Sequence, residues 1–252
     1  MIDAFDGCDD HSIAASPDKI EMWINSKDVA TRLACLDRPD FHPTMDQVMK
    51  GVKDISPLVR VQWAKCRKFV PTEDIIQAGV RDEHWEVRES WVLRDDVHFD
   101  ISDIHNGLRD PHIFTRCAWV SRHEWTPSVK RIRHMMHDIR PIRESICKRR
   151  DVDIPYDCMV KAVSDHYVKV RVACAEHPSI KKYMDLITEC MRDKSEQVRR
   201  AVIDSHTWRP SESQRILGMN DDDENIRLLW MNRIARLCDE SLCSEEVHSD
   251  SI

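Results

Sequence analysis

Apolar positions along this chain return on a fixed beat. Val52, Val80, Leu108, Met136, Val163, Met191 and Met219 mark one phase of it. A second phase holds Cys35, Trp63, Trp91, Trp119, Ile146, Cys174, Val202 and Trp230. A third, one residue further on, is Leu36, Ala64, Val92, Val120, Cys147, Ala175, Ile203 and Met231. The beat is carried most plainly by an arginine, at Arg32, Arg60, Arg88, Arg116, Arg143, Arg171, Arg199 and Arg227. Every interval between these arginines is 28 residues except the 27 from Arg116 to Arg143. A self-similar period of this length is the mark of a repeat array, in which each copy buries its apolar face against its neighbours.

Within one copy, residues 56–83, the pattern predicts two helices. Ser56 followed by Pro57 reads as an N-cap with proline in the first turn, where its missing N–H costs nothing. Val59 and Trp63 lie one turn apart and share a face, and the segment is expected to run to about Phe69. Pro71 blocks continuation and opens a second helix from Thr72 to about Ala78, with Ile75, Ile76 and Val80 on one side. Pro43, Pro127, Pro155 and Pro210 punctuate other copies near the equivalent place, Phe99 stands there in the third, and the sixth shifts its proline to Pro178. Helices this short are not stable alone in water, so the copies must stack.

An aspartate stands six residues before most of the periodic arginines: Asp54, Asp82, Asp110, Asp165, Asp193 and Asp221. Asp138 lies five before Arg143, at the one-residue deletion. On a helical wheel the arginine falls inside the apolar arc. A guanidinium buried without a partner is costly, so an Asp–Arg ladder along the stack is expected. A second basic row lies six residues after the first: Arg38, Arg94, Arg122, Arg149, His177 and Arg233, interrupted by Cys66 and Ser205. It sits in the last helical turn, where a cation complements the helix dipole and can also meet an anionic partner.

The phrase of aspartate, spacer, Val-Arg and an apolar helix, as in VRESWVLRDD at 87–96, resembles the HEAT repeat and is similar to the leucine-rich variant repeat. The resemblance covers nearly all of 17–238. It implies an all-α, right-handed α-solenoid of about eight two-helix repeats of 28 residues, with the Val-Arg helices lining the concave side. It also implies a binding role, since such repeats serve in adaptors, scaffolds, transport receptors and some nucleic-acid proteins.

Charge changes the picture only at the ends. The chain of 252 residues has 38 Lys+Arg against 45 Asp+Glu, and nine of the acids lie in 1–16 and 239–252, which contain no base. Those segments read as acidic, disordered tails around a nearly neutral 17–238. No apolar run reaches the ~20 residues of a membrane helix, and the acidic start MIDAFDGCDD lacks the basic region of a secretory signal. Five glycines and no phosphate-loop motif exclude a Gly-rich nucleotide site. The ten cysteines include no C-x-x-C and fall mainly in core phases, so they read as small hydrophobes in a reducing, cytoplasmic setting.

The residues five after each ladder arginine are Asp37, Lys65, Leu93, Ser121, Lys148, Glu176, Asp204 and Asn232, with both signs mixed. A phosphate-binding groove is lined by one sign, so this row suits a protein partner. The expectation is a monomeric, non-enzymatic protein-binding module without cofactor or metal. Its contact residues are placed at Lys65, Arg94, Arg122, Lys148, Arg149, His177 and Arg233. The alternative is a nucleic-acid-binding HEAT-like protein, for which HEAT-like DNA glycosylases are a precedent, with the acidic tails masking the basic row. His134, His137 and Asp138 form the one local cluster with ligand-type side chains, and surface histidines account for them.

Overall fold

A computed structural model describes residues 15–204 and 208–249, the stretch 238–249 as helical backbone alone. The N-terminal tail up to residue 14 and Ser205 lie outside the described residues. The chain divides into two compact units, Met1–Glu124 and Trp125–Ile252, and the boundary falls inside the 27-residue interval.

Every regular element among the described residues is helical. In the first unit α1 (Pro17–Ile24), α3 (Met45–Gly51), α5 (Glu73–Val80) and α7 (Ile101–Gly107) alternate with the Val-Arg helices α2 (Val29–Asp37), α4 (Pro57–Lys65), α6 (Trp85–Val92) and α8 (Ile113–Val120). In the second, α9 (Val129–Met135), α11 (Tyr156–Val163), α13 (Met184–Met191) and α15 (Glu212–Met219) alternate with α10 (Arg140–Lys148), α12 (Val168–Ala175), α14 (Glu196–Asp204) and α16 (Glu224–Ser249). Within each unit, successive Val-Arg helices pack on one another and each helix of the other set packs on the Val-Arg helix that follows it. This neighbour-to-neighbour packing is that of an α-solenoid.

Local chemistry sets the boundaries. Proline followed by a hydroxyl residue opens α3, α9 and α15, where Thr44, Ser128 and Ser211 accept from the backbone N–H three residues on. Ser56 occupies the N-cap of α4 as expected, but its side chain makes no cap bond, and its own N–H is donated to Asp54 at 2.8 Å. The Val-Arg helix also stops earlier than periodicity suggests, at Lys65 and not near Phe69. Phe69 turns inward against Trp63, 6.1 Å between ring centroids, and Lys68 donates to the carbonyls of Leu36 and Arg38 in the preceding copy. Pro178, the shifted proline, starts a 3-10 helix at Pro178–Lys182. At the other end α16 carries its helical backbone to Ser249, through most of the stretch that composition assigns to a disordered tail. That stretch lacks glycine and proline, and Glu, Leu and Arg within α16 favour helix despite the negative charge.

The tryptophan stripe fills the core: Trp63, Trp91, Trp119 and Trp230 are at most 2 % exposed. Each lies against a glycine twelve residues earlier, at Gly51, Gly79, Gly107 and Gly218, where a Cβ would stand 2.0–2.3 Å from the indole. None of the four glycines needs a positive φ. They are present because the ring occupies the space of a side chain.

Candidate partner-binding face

Which surface is available depends on what the two arginine rows do. The first row forms the expected ladder, offset by one copy. Arg32, Arg60, Arg88, Arg143, Arg171 and Arg199 each donate from Nε and Nη2 to both oxygens of the aspartate 22 residues later, Asp54, Asp82, Asp110, Asp165, Asp193 and Asp221, at 2.6–3.1 Å. The Nη1 of each reaches back to the loop before its own helix, as Arg88 does to the Asp82 carbonyl at 2.9 Å. Each ladder aspartate also accepts the N–H two residues on, as Asp193 does from Ser195 at 2.8 Å. Every oxygen of the bridge is thereby satisfied, the condition under which a buried ion pair is tolerable. Arg116 keeps the backward bond, to the Asp110 carbonyl, and the Asp138 carboxylate accepts from the adjacent Ile139 N–H.

The second row is internal as well, which corrects the expectation that it lines a contact surface. Arg94 is completely buried, donating to the carbonyls of Ala64, Cys66 and Phe69 in the preceding copy and to Asp96. Its guanidinium lies 5.1 Å from the Phe69 ring and 5.2 Å from Trp91. Arg122 repeats the arrangement with the carbonyls of Val92, Arg94 and Val97, the carboxylate of Glu124 and the ring of Phe99. Buried Arg149 reaches the Trp125 carbonyl and Asp151, and buried Arg233 reaches Val202, Ile203 and Trp208. Hydrogen bonding from Arg94 holds the Asp96 carboxyl below its ordinary range. Arg94, Arg122 and Arg233 terminate the Val-Arg helix of the copy before by taking up its free carbonyls. Phosphate contact from this row would require pulling it out of the core, so the observation that favoured nucleic acid is gone.

His177 is the row's variant member. It is 1 % exposed, its Nδ1 accepts from the Ser179 N–H at 3.1 Å, and its Nε2 donates to the Arg149 carbonyl at 2.9 Å. Burial lowers its pKa. A neutral imidazole with one donor and one acceptor matches these two partners, and an imidazolium does not.

The remaining two sequence candidates do face solvent. Lys65 is exposed, and Lys148 is exposed beside Glu144 at 2.6 Å. They belong to the row immediately before the buried one, and all eight of its members are exposed: Asp37, Lys65, Leu93 and Ser121 in the first unit, Lys148, Glu176, Asp204 and Asn232 in the second. Adjacent positions thus have opposite fates: Arg38, Arg94, Arg149, His177 and Arg233 are buried, and the residue before each is open. Exposed apolar side chains join the open row in the first unit, Leu58 at 58 %, Leu93 at 55 % and Phe114 at 48 %. In the second unit the same helices carry ion pairs, Arg200–Asp204 at 3.5 Å among them.

Among the described residues no three His, Cys, Asp or Glu side chains gather to hold a metal, and the Nε2 of His137 faces the Lys161 ammonium. Cys35, Cys147, Cys174 and Cys190 are buried as the core reading expects, while Cys66 is half-buried. Burial pushes the thiol of Cys35 up to about 11 and those of Cys147 and Cys190 up to about 12, so they are poor nucleophiles.

Neither protein-family models nor curated proteins provide a match to the chain. Among solved structures it is similar to a leucine-rich repeat variant with a novel repetitive structural motif, at 18 % identity and a TM-score of 0.54, over 85 % of this chain and 82 % of the other. At that identity the likeness is one of fold, and it agrees with the repeat resemblance carried by the Val-Arg helices.

Proposed function

We propose that this chain is a non-enzymatic binding module, an adaptor, scaffold or inhibitor, that grips a protein through the open row of its Val-Arg helices. The observation that carries the reading is the pairing of rows. Buried arginines recur beside the exposed position, at Arg38, Arg94, Arg149 and Arg233, whereas the exposed position itself changes from copy to copy through Asp37, Lys65, Leu93 and Ser121. A scaffold needs the first kind of position to be constant and leaves the second free to carry specificity. Mixed sign and exposed Leu93 and Phe114 suit a protein surface better than a phosphate backbone. Capture by the tagged full chain, compared across variants, tests this. A protein retained by the unmodified chain should be lost by Leu93→Asp and by Lys65→Glu, and kept by Ile101→Asp, an exposed position on α7. Retention by all three variants would remove the face from consideration.

A further inference from the structure

Seven of the eight tryptophans are at most 6 % exposed; Trp85 is the exception, half-buried at the first position of α6. The equivalent place in other copies holds Val29, Pro57, Ile113, Arg140, Val168, Glu196 or Glu224, so the stack itself does not need an indole there. Trp85 is built into an aromatic group that spans two copies. The His112 ring stacks on it at 3.9 Å between centroids and 22° between planes, and Phe114 lies 5.5 Å away with about half its surface open. The neighbouring His84 ring lies 6.4 Å from that of Trp85.

Two carboxylates border this group on the same helix. Glu86 stands 3.8 Å from His84 Nδ1. Glu89 is half-buried, and its carboxylate has no hydrogen bond or ion pair among the described residues. Its pKa is raised, first by burial and then by Glu86, while His112 and Lys65 act in the opposite direction. A carboxylate partly out of water and without a partner is unfavourable, and an apolar occupant would bury it further. A planar cation would both pair with it and lie on an aromatic face. Within this chain the buried guanidiniums already rest on rings in that way, Arg122 at 4.9 Å from Phe99 and Arg233 at 4.7 Å from Trp208.

We propose that Trp85, Phe114 and Glu89 form a receptor for an arginine side chain of the protein partner, with the guanidinium on the aromatic surface and its N–H groups donated to Glu89. This deepens the binding-module reading and rests on it. The indole N–H signals of the isotope-labelled full chain report directly on the site, that of Trp85 being identified by its loss in Trp85→Phe. The probe is acetyl-Gly-Arg-Gly-amide, with the citrulline peptide, of the same shape but neutral, as control. The arginine peptide should move the Trp85 signal saturably. Glu89→Gln and the citrulline peptide should each weaken that response by about tenfold. Equal titration by the two peptides, or an unchanged response in Glu89→Gln, overturns the cation assignment. Loss of partner capture by Leu93→Asp together with equal titration would leave the face standing and this receptor refuted. Arginine-selective titration with capture unchanged in every face variant would do the reverse.

Discussion

Replacing Gly79 by alanine sets two effects of known sign against each other. In a solvated helix the change stabilises by about 0.8–1 kcal/mol, because alanine restricts the unfolded chain and favours helix. At Gly79 the added Cβ would stand 2.2 Å from Cδ1 of Trp91, whose ring is 1 % exposed and has no solvent side to move toward. Ordinary carbon contact is near 3.5–4.0 Å, so the indole or helix α5 has to shift by more than 1 Å. Overpacking of a closed core costs about 1–3 kcal/mol and more when the obstacle is a rigid ring. The steric effect wins, and Gly79→Ala should lower the thermal midpoint by roughly 2–8 °C in a chain of this size. The same substitution tested in a Trp91→Cys background gives the sign its meaning. The residue twelve before Cys174 is Ala162, so combining Gly79→Ala with Trp91→Cys copies a pair that the sixth repeat already uses. Trp91→Cys alone should cost about 3–5 kcal/mol by leaving a cavity, and there Gly79→Ala should stabilise. Thermal unfolding followed by circular dichroism on the four proteins closes the cycle. A midpoint raised by Gly79→Ala in the unmodified chain, or an equal loss in both backgrounds, would refute the account of the glycines.

The ladder and the histidine joint give two further predictions. Asp193→Ala strands the Arg171 guanidinium, whose side chain is only 5 % exposed, and should cost about 3–5 kcal/mol. Asp138→Ala, which removes a carboxylate that accepts from Ile139 N–H, should cost about 1 kcal/mol, and comparable thermal midpoints for the two would contradict the ladder's role. For His177 the folded-state pKa lies below the unfolded one, near 6.5. The unfolded chain therefore binds the proton first, so stability is full above about pH 6.5 and falls as the pH drops toward the folded value. The decline in midpoint between pH 7.5 and pH 5.5, two values about one unit either side of that pKa, should be smaller in His177→Arg, which places at this position the residue that the row has at Arg149 and Arg233; an unchanged decline would assign it elsewhere.

The repeat, the two-helix unit and the tryptophan core were legible because they depend on period and apolarity, both of which a single chain displays. The ladder was legible in kind but not in register. Arg32 has no aspartate six residues earlier yet pairs with Asp54, and the aspartate before each helix offers it a backbone carbonyl, its carboxylate being committed to the copy before. The second row failed as a surface for a related reason. Position alone puts Arg94 in the last turn of its own helix, and only the stack shows that its acceptors are Ala64, Cys66 and Phe69 of the previous one. The one available signal was the pair Phe41 and Phe69, 28 residues apart, since rings repeated on the period of the arginines offer seats for cations. Trp85, by contrast, breaks the period, which is why counting periodic positions passes over it.

Because both halves of every tie recur at one fixed offset, the chain is written in interchangeable cassettes. Excising residues 61–88 would bring Arg60 to within 22 residues of Asp110 and set Trp91 twelve residues beyond Gly51, restoring each lost partnership with a homologous one. A cut that is not a whole number of copies would leave a guanidinium without its acid and a ring without its hollow. The array can therefore grow or shrink by whole measures while its bonding rules stay the same, and the span offered to a partner becomes adjustable without redesign of the joints.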